Sequence, residues 1–290
     1  MRRERSATTG IRRALGQHFL RVSDVAHAIV DLVAPGSGDL VLEIGPGRGA
    51  LTSLLAERAG AFLAIELDPA LAERLSSSFD VRIADARTFD YTSLAAPSGR
   101  VIVVGNLPYS VSKPILARLV DAHSVIAEMA LMLQLEVAER VVASPGGKIY
   151  GSLSVLTQLH WDVTLALRVP PEAFLPPPQV ESAVLHLRSR SREVRGAAEG
   201  EPSEKNPEQD PPGTADPRKL ITDELQLRRI VLGAFEQRRK AVANSLASAL
   251  RVPVTTARER LLATGIDPSR RAETLSREEF ARLTAEWFRA

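Results

Sequence analysis

Two short segments of this chain combine residue types that can do chemistry. One is Gly105-Asn106-Leu107-Pro108-Tyr109, directly after an apolar run. An amide, a proline and an aromatic in that order suit one problem. The exocyclic N6 of adenine is a poor nucleophile, because its lone pair is delocalised into the ring. The Asn106 side-chain oxygen and the Pro108 backbone carbonyl would each accept one N6–H, favouring a pyramidal nitrogen with its lone pair aimed at an incoming methyl group. Tyr109 would stack on a flipped base. No early general base is needed, since the nitrogen becomes acidic only after methylation, and catalysis is mainly positioning and desolvation. The plain alternative is a proline turn with Tyr109 packed on the core.

The other segment is Val41-Leu42-Glu43-Ile44-Gly45-Pro46-Gly47-Arg48-Gly49, an apolar run ending in a glycine-rich turn. Glycines here, Gly45 first, let the backbone turn sharply and approach a ligand closely. The dinucleotide fingerprint is G-x-G-x-x-G, whereas the spacing here is G-x-G-x-G. Glu66 ends the next apolar run and can accept both hydroxyls of a ribose. Asp85 ends the one after and can accept from an adenine amino group. Glu43, Glu66 and Asp85 together suit a neutral ribose, an adenine and a cationic sulfonium. They suit a pyrophosphate poorly, because like charges repel. The bland reading is that such acids only cap helices, and Asp68, followed by Pro69, is expected to do so.

These residues need a scaffold that brings successive strand ends together. The candidate strands are Leu40–Ile44, Ala61–Glu66, Val81–Ala84, Val101–Gly105, Met129–Leu133, Val163–Val169 and Ser182–Leu187. Most are continuously apolar, as strands buried on both faces are. Helical patterns lie between them, one beginning at Ser23 as its cap with Val25, Ile29 and Leu32 on one face. The pattern predicts an α/β doubly wound sheet. Pro170–Val180 holds five prolines and admits no crossover helix, so the last two strands should form an antiparallel hairpin at the sheet edge.

The 290 residues are enough for one large domain and a smaller one, and a hydrophobic fraction of 44% supports a sizeable core. The expected division is residues 1–188 for the α/β domain, 189–217 for a polar, Pro- and Gly-rich flexible linker, and 218–290 for an all-helical domain. In the last, helices are expected over Leu225–Leu250, Thr255–Ala263 and Ser276–Phe288, with Ser276 and Glu279 forming a capping box. The absence of cysteine excludes disulfides, thiolate catalysis and Cys-ligated zinc. Neither a signal-peptide pattern nor an apolar run of membrane-spanning length is present, so a cytoplasmic protein is expected. Net charge is only +2, but cations cluster at Arg2, Arg3, Arg5, Arg12 and Arg13, and again at Arg228, Arg229, Arg238, Arg239 and Lys240. Such clusters are the footprint of a phosphate-binding surface, or else simply solvated.

Taken together, the motifs resemble those of the KsgA-type ribosomal RNA small-subunit adenine-N6,N6 dimethyltransferases, nearly end to end. Leu15–Leu20 is similar to the family's opening signature. Glu43–Gly49, Glu66, Asp85 and Asn106–Tyr109 match its cofactor and catalytic motifs in order. Phe174–Val184, Ala234–Lys240 and Gly265–Pro268 resemble its later motifs. The resemblance implies a Rossmann-like class I methyltransferase fold, with a mostly parallel seven-stranded sheet, an antiparallel last strand and a small helical C-terminal domain. It implies S-adenosyl-L-methionine as cofactor, with His18 and Leu20 closing the pocket beside Gly45, Glu66, Asp85 and Asn106. Phe174 would flank the target base alongside Asn106, Pro108 and Tyr109, and Arg238, Arg239 and Lys240 would hold RNA. The implied substrate is 16S rRNA, in the 30S subunit or its precursor. Its target would be two adjacent adenosines in the 3′-terminal hairpin loop, and the enzyme, a monomer, would also act in subunit biogenesis. Residues 189–217 look longer and more polar than the family pattern. An Erm-type 23S rRNA methyltransferase would share the cofactor loop and Asn106–Tyr109, but Gln237–Lys240, Gly265–Pro268 and the proline-rich loop favour the small-subunit enzyme. A nucleotide-binding oxidoreductase is opposed by the glycine spacing, and a non-catalytic assembly factor by the intact catalytic loop.

Overall fold

A computed structural model describes residues 18–191, 220 and 223–289. The basic residues Arg2–Arg13, the Leu15–Gln17 part of the opening signature and residues 192–217 of the expected linker lie outside the described residues. The chain divides into two compact units, one over Met1–Ala138 and Trp161–Gly200, the other over Glu139–His160 and Glu201–Ala290.

The first unit is built on a seven-stranded sheet. Its strands are β2 (Leu40–Ile44), β3 (Ala61–Glu66), β4 (Val81–Ile83), β5 (Val101–Asn106), β6 (Ile126–Gln134), β7 (Trp161–Val169) and β9 (Ser182–Ser189). They lie in the order β4-β3-β2-β5-β6-β9-β7. All pairs are parallel except those made by β9, which runs antiparallel to both β6 and β7. The hairpin is present as the prolines require, with β7 at the edge and β9 inserted inside it. A separate pair joins β1 (Phe19–Leu20) to β8 (Phe174–Leu175).

Every side chain of β2 is buried, as the continuous apolar run demands of a strand covered on both faces. Helix α1 (Ser23–Val33) covers one face with Ala26, Ile29, Val30 and Val33. These share a core with Val41, Leu55, Ile102 and Val104. Ser23 does not cap α1: it is the first helical residue, and its hydroxyl bonds His27 at 3.2 Å instead. After α2 (Thr52–Arg58), α3 (Pro69–Ser76) begins as expected, with the Asp68 carboxylate accepting from the Ala70 N–H and Pro69 in its first turn; α4 (Ser112–Asp121) and α5 (Leu135–Val142) come later in the chain. The strand order reverses between β2 and β5, so the ends of these two strands flank the switch point at which open α/β sheets bind ligands.

The second unit packs α6 (Ser152–His160), α7 (Glu224–Phe235), α8 (Val242–Leu250), α9 (Val254–Ala263) and α10 (Arg277–Trp287). Its core includes Tyr150, Val155, Leu227, Ile230, Leu246 and Phe280. The Ser276–Glu279 capping box is formed at α10. The expected single helix over Leu225–Leu250 is two helices, because the chain turns at 236–241. The buried Ser245 stabilises that break: its hydroxyl donates to the Gly233 carbonyl at 2.7 Å and accepts from the Gln237 N–H at 3.2 Å. A Cβ on Gly233 would come within 2.9 Å of the Ala249 Cβ, so α7 and α8 pack backbone to side chain there. Among the described residues no helix is long and apolar enough to cross a membrane.

Candidate active site

One cleft of about 730 Å³, part of it open to solvent, lies over the ends of β2, β3 and β5. Its wall is formed by residues from His18–Phe19, Ile44–Gly47, Ile65–Leu67, Ala84–Arg87 and Asn106–Tyr109, with Val111 and Ile115. The glycine loop follows β2 in left-handed backbone, with φ of +67° at Gly45, +57° at Gly47 and +88° at Gly49. Side chains strain that conformation. A Cβ on Gly47 would also meet the Phe19 ring at 3.0 Å. Across the switch point, Gly105 lets β5 approach β2: a Cβ there would lie 2.9 Å from the Ile44 carbonyl oxygen.

Glu66 ends β3 only 3% exposed. Its carboxylate accepts from the Gly47 N–H at 3.2 Å and the Asp68 N–H at 2.9 Å. Burial raises its pKa, and those backbone bonds oppose the rise. The arrangement is a carboxylate aimed into an apolar cleft and held by the glycine loop itself. Asp85 also lines the cleft, with a partner that the sequence reading missed. The Arg87 guanidinium donates to both oxygens, from Nε at 3.0 Å to each and from Nη2 at 2.6 Å to Oδ2. The Arg87 N–H adds 2.8 Å to Oδ1. Hydrogen bonding to the Arg87 side chain is the main reason the Asp85 pKa is lowered.

Asn106 closes the opposite wall. Its Nδ2 donates to the His18 backbone carbonyl at 2.9 Å. A carbonyl only accepts, so the amide nitrogen must face it, leaving Oδ1 as the amide's remaining acceptor. His18 bonds the Pro176 carbonyl through Nδ1 at 2.7 Å and lays its ring 5.3 Å from that of Tyr109, tilted by 34°. The Tyr109 hydroxyl shares a hydrogen bond with the Ser182 hydroxyl. Burial raises the phenol pKa, and the Ser182 bond opposes this.

The cleft thus unites His18, Gly45, Glu66, Asp85, Asn106, Pro108 and Tyr109. Three other expected site residues are elsewhere. Leu20 is 8% exposed, in the core beside Ile29 and Val30. Side chains alternate along a strand, so Phe19 is the one that lines the cleft, with the Arg48 guanidinium 4.7 Å over its ring. Phe174, opposite Leu20 in the β1–β8 pair, is 1% exposed in the same core. Glu43 is buried in β2, where it accepts from the Thr52 hydroxyl at 2.7 Å. Its pKa is pushed up to about 7, by burial first and by nearby Glu66 as well.

In the second unit, Arg238, Arg239 and Lys240 are exposed in the turn between α7 and α8, not along a helix. Arg238 is engaged within that unit: its Nη2 donates to the carbonyls of Lys148 at 3.0 Å and Tyr150 at 2.7 Å.

The profile of the ribosomal RNA adenine dimethylase family matches residues 9–199. The chain belongs to that family. Membership carries the reaction class, methyl transfer to adenine in ribosomal RNA. Among its relatives, the ribosomal RNA small subunit methyltransferase A of Geobacter sulfurreducens is 43% identical over 283 residues, covering 94% of each chain. That of Moorella thermoacetica is 40% identical, covering 94% of this chain and 91% of its own. A dimethyladenosine transferase from Plasmodium falciparum shares the fold of this family member with a TM-score of 0.71. Its identity is 20%, and the match covers 92% of this chain and 96% of that one. The 23S rRNA methyltransferase ErmE also shares the fold, with a TM-score of 0.58 at 23% identity, over 92% of this chain and 98% of its own.

Proposed function

We propose that this enzyme uses S-adenosyl-L-methionine to dimethylate N6 of two adjacent adenosines in the 3′-terminal hairpin loop of 16S rRNA. The RNA is read as part of the 30S subunit or its precursor, and the enzyme as a cytoplasmic monomer with a role in subunit biogenesis. The observation that carries the reading is the Asn106 amide. Its nitrogen is bound to the His18 carbonyl, and its oxygen is left to accept beside Pro108 and Tyr109, in the same cleft as Glu66 and Asp85.

The cleft fits the cofactor by the chemistry of its acceptors. Glu66 and Asp85 favour ribose hydroxyls, an adenine amino group and a positive sulfonium. Among the described residues lining the cleft the one arginine is Arg87, and it is paired to Asp85, so a pyrophosphate there would meet carboxylates. When bound, S-adenosyl-L-methionine supplies an electrophilic methyl group on sulfur.

The chain's own groups do the rest. Glu66 accepts the ribose hydroxyls, and Asp85 the adenine amino group. Tyr109 stacks on the extruded base, for about 1–3 kcal/mol. Asn106 Oδ1 and the Pro108 carbonyl accept the two N6–H bonds, which directs the nitrogen lone pair and supports positive charge as it develops there. His18 holds Asn106 by its carbonyl and Tyr109 by its ring. The helical unit contacts RNA phosphates through the exposed Arg239 and Lys240. The test is transfer of labelled methyl groups to undermodified 30S subunits, with nuclease mapping of the products. Label confined to adjacent dimethylated adenosines of the last small-subunit hairpin is the expected result; label in 23S rRNA would support the Erm-type reading instead.

A further inference from the structure

Stacking on a base requires a ring, not a hydroxyl, yet the Tyr109 hydroxyl has a dedicated partner. Ser182 is fully buried. It sits where β9 is paired on both sides, opposite Gln134 of β6 and Val169 of β7. The adjacent Glu181 carbonyl accepts from the Leu135 N–H at 2.9 Å. Tyr109, by contrast, is in the half-buried loop after β5, and among the described residues its ring meets the Ser182 hydroxyl and the His18 ring. The backbone of that loop has its own tie, from the Ser112 hydroxyl to the Tyr109 carbonyl at 3.2 Å.

We propose that Ser182 is a positioning residue for methyl transfer: its hydroxyl, bonded to the Tyr109 phenol, fixes the plane on which the target base stacks. The proposal rests on the reading of Tyr109 as the stacking platform. The ring is then held at two places, by Ser182 at its hydroxyl end and by the His18 ring 5.3 Å away. His18 also ties Asn106 and Pro176. Strand β9 thereby sets the angle of the base, while His18 sets the amide that receives its N6–H. A stacked base that tilts carries its N6 out of line with the transferring methyl group, and misplacement of about 1 Å is costly in rate.

The test compares Tyr109→Phe, Ser182→Ala and the double variant in single-turnover methylation of undermodified small ribosomal subunits. Affinity for S-adenosylhomocysteine is measured by calorimetry on the same preparations. Each single change removes one hydrogen bond and should slow transfer roughly two- to tenfold. The double variant leaves neither hydroxyl without its partner, so it should be no slower than the slower single variant. Cofactor affinity should stay within about twofold of wild type, which a general loss of structure would not allow. Tyr109→Phe preserves packing and keeps the test valid if Ser182→Ala is unstable. Losses that multiply in the double variant, or Tyr109→Phe at the wild-type rate, overturn the pin. Tyr109→Ala separates the two readings: wild-type turnover there would remove the stacking role itself, and the pin with it.

Discussion

Glu66→Gln offers a sharp test of the cofactor assignment, because the structure sets two opposed effects against each other. The carboxylate is 3% exposed and burial raises its pKa, so neutralising it relieves a desolvation cost in the folded protein. Against this, it accepts from two backbone donors, Gly47 at 3.2 Å and Asp68 at 2.9 Å. A glutamine has one acceptor oxygen. That oxygen should stay with the shorter Asp68 contact and leave the Gly47 N–H facing an NH₂. An unpaired buried donor costs about 1–3 kcal/mol, of the same order as the relief, so thermal stability should change little. Ligand affinity has no such compensation. Charge-assisted bonds to ribose hydroxyls are worth about 1.5–3 kcal/mol, so affinity should fall roughly ten- to a hundredfold. Calorimetric titration with S-adenosylhomocysteine, alongside thermal denaturation, measures both quantities. Affinity within twofold of wild type, in a variant of unchanged melting temperature, would refute the ribose assignment.

Further expectations concern Glu43, the basic turn between α7 and α8, and Arg87. The Glu43 carboxyl, raised from 4.5 to about 7 by burial, holds its proton more tightly folded than unfolded. Its contribution to stability is therefore fully present below pH 4.5 and is lost as pH rises to 7, by up to roughly 3 kcal/mol. Glu43→Gln keeps an acceptor for Thr52 and should flatten that decline; parallel pH–stability curves for the two proteins would count against it. Replacing Arg239 and Lys240 by glutamine should lower the slope of log K against log salt for RNA binding by about 0.7–0.9 per contact. Arg238→Gln, whose side chain serves Lys148 and Tyr150, should lower the melting temperature more than the slope, and the opposite pattern would reverse these roles. Arg87→Leu should tighten binding of adenosine about two- to fivefold, as expected from removing an exposed competing ion pair, since the Arg87 N–H still orients Asp85; weaker binding would make the guanidinium part of the purine site.

Periodicity and composition carried most of the scaffold. Leu40–Ile44 and Ala61–Glu66 read as buried parallel strands because no polar residue interrupts their cores except acids at or near their ends, and the observed strands have those bounds. The prolines of Pro170–Val180 foretold the antiparallel turn, because a ring without an N–H cannot continue a helix. What local sequence did not carry were long-range pairings. The two-residue strand at Phe19–Leu20 exists only because Phe174–Leu175 is opposite, and that pairing decides that Phe19 and not Leu20 faces the cleft. Arg87 on Asp85 is a local contact and was legible in principle, because a cation two residues from an acid in a turn can fold back on it. The break between α7 and α8 was not, since it depends on Ser245, eight residues beyond Gln237, reaching back to that residue's N–H.

The loop at Asn106 is proposed to perform adenine N6 methylation by accepting N6–H bonds. This role is tested most directly by single-turnover reaction of Asn106→Ala with undermodified 30S subunits, followed by mass spectrometry of the digested rRNA. Loss of such a preorganised acceptor should slow transfer about a hundredfold or more. N6-methyladenine has only one N6–H and can satisfy only one of the two acceptors, so the two transfers should slow unequally and monomethylated product should accumulate. Near-normal dimethylation by Asn106→Ala would contradict the account and return the Asn106–Tyr109 loop to a structural role.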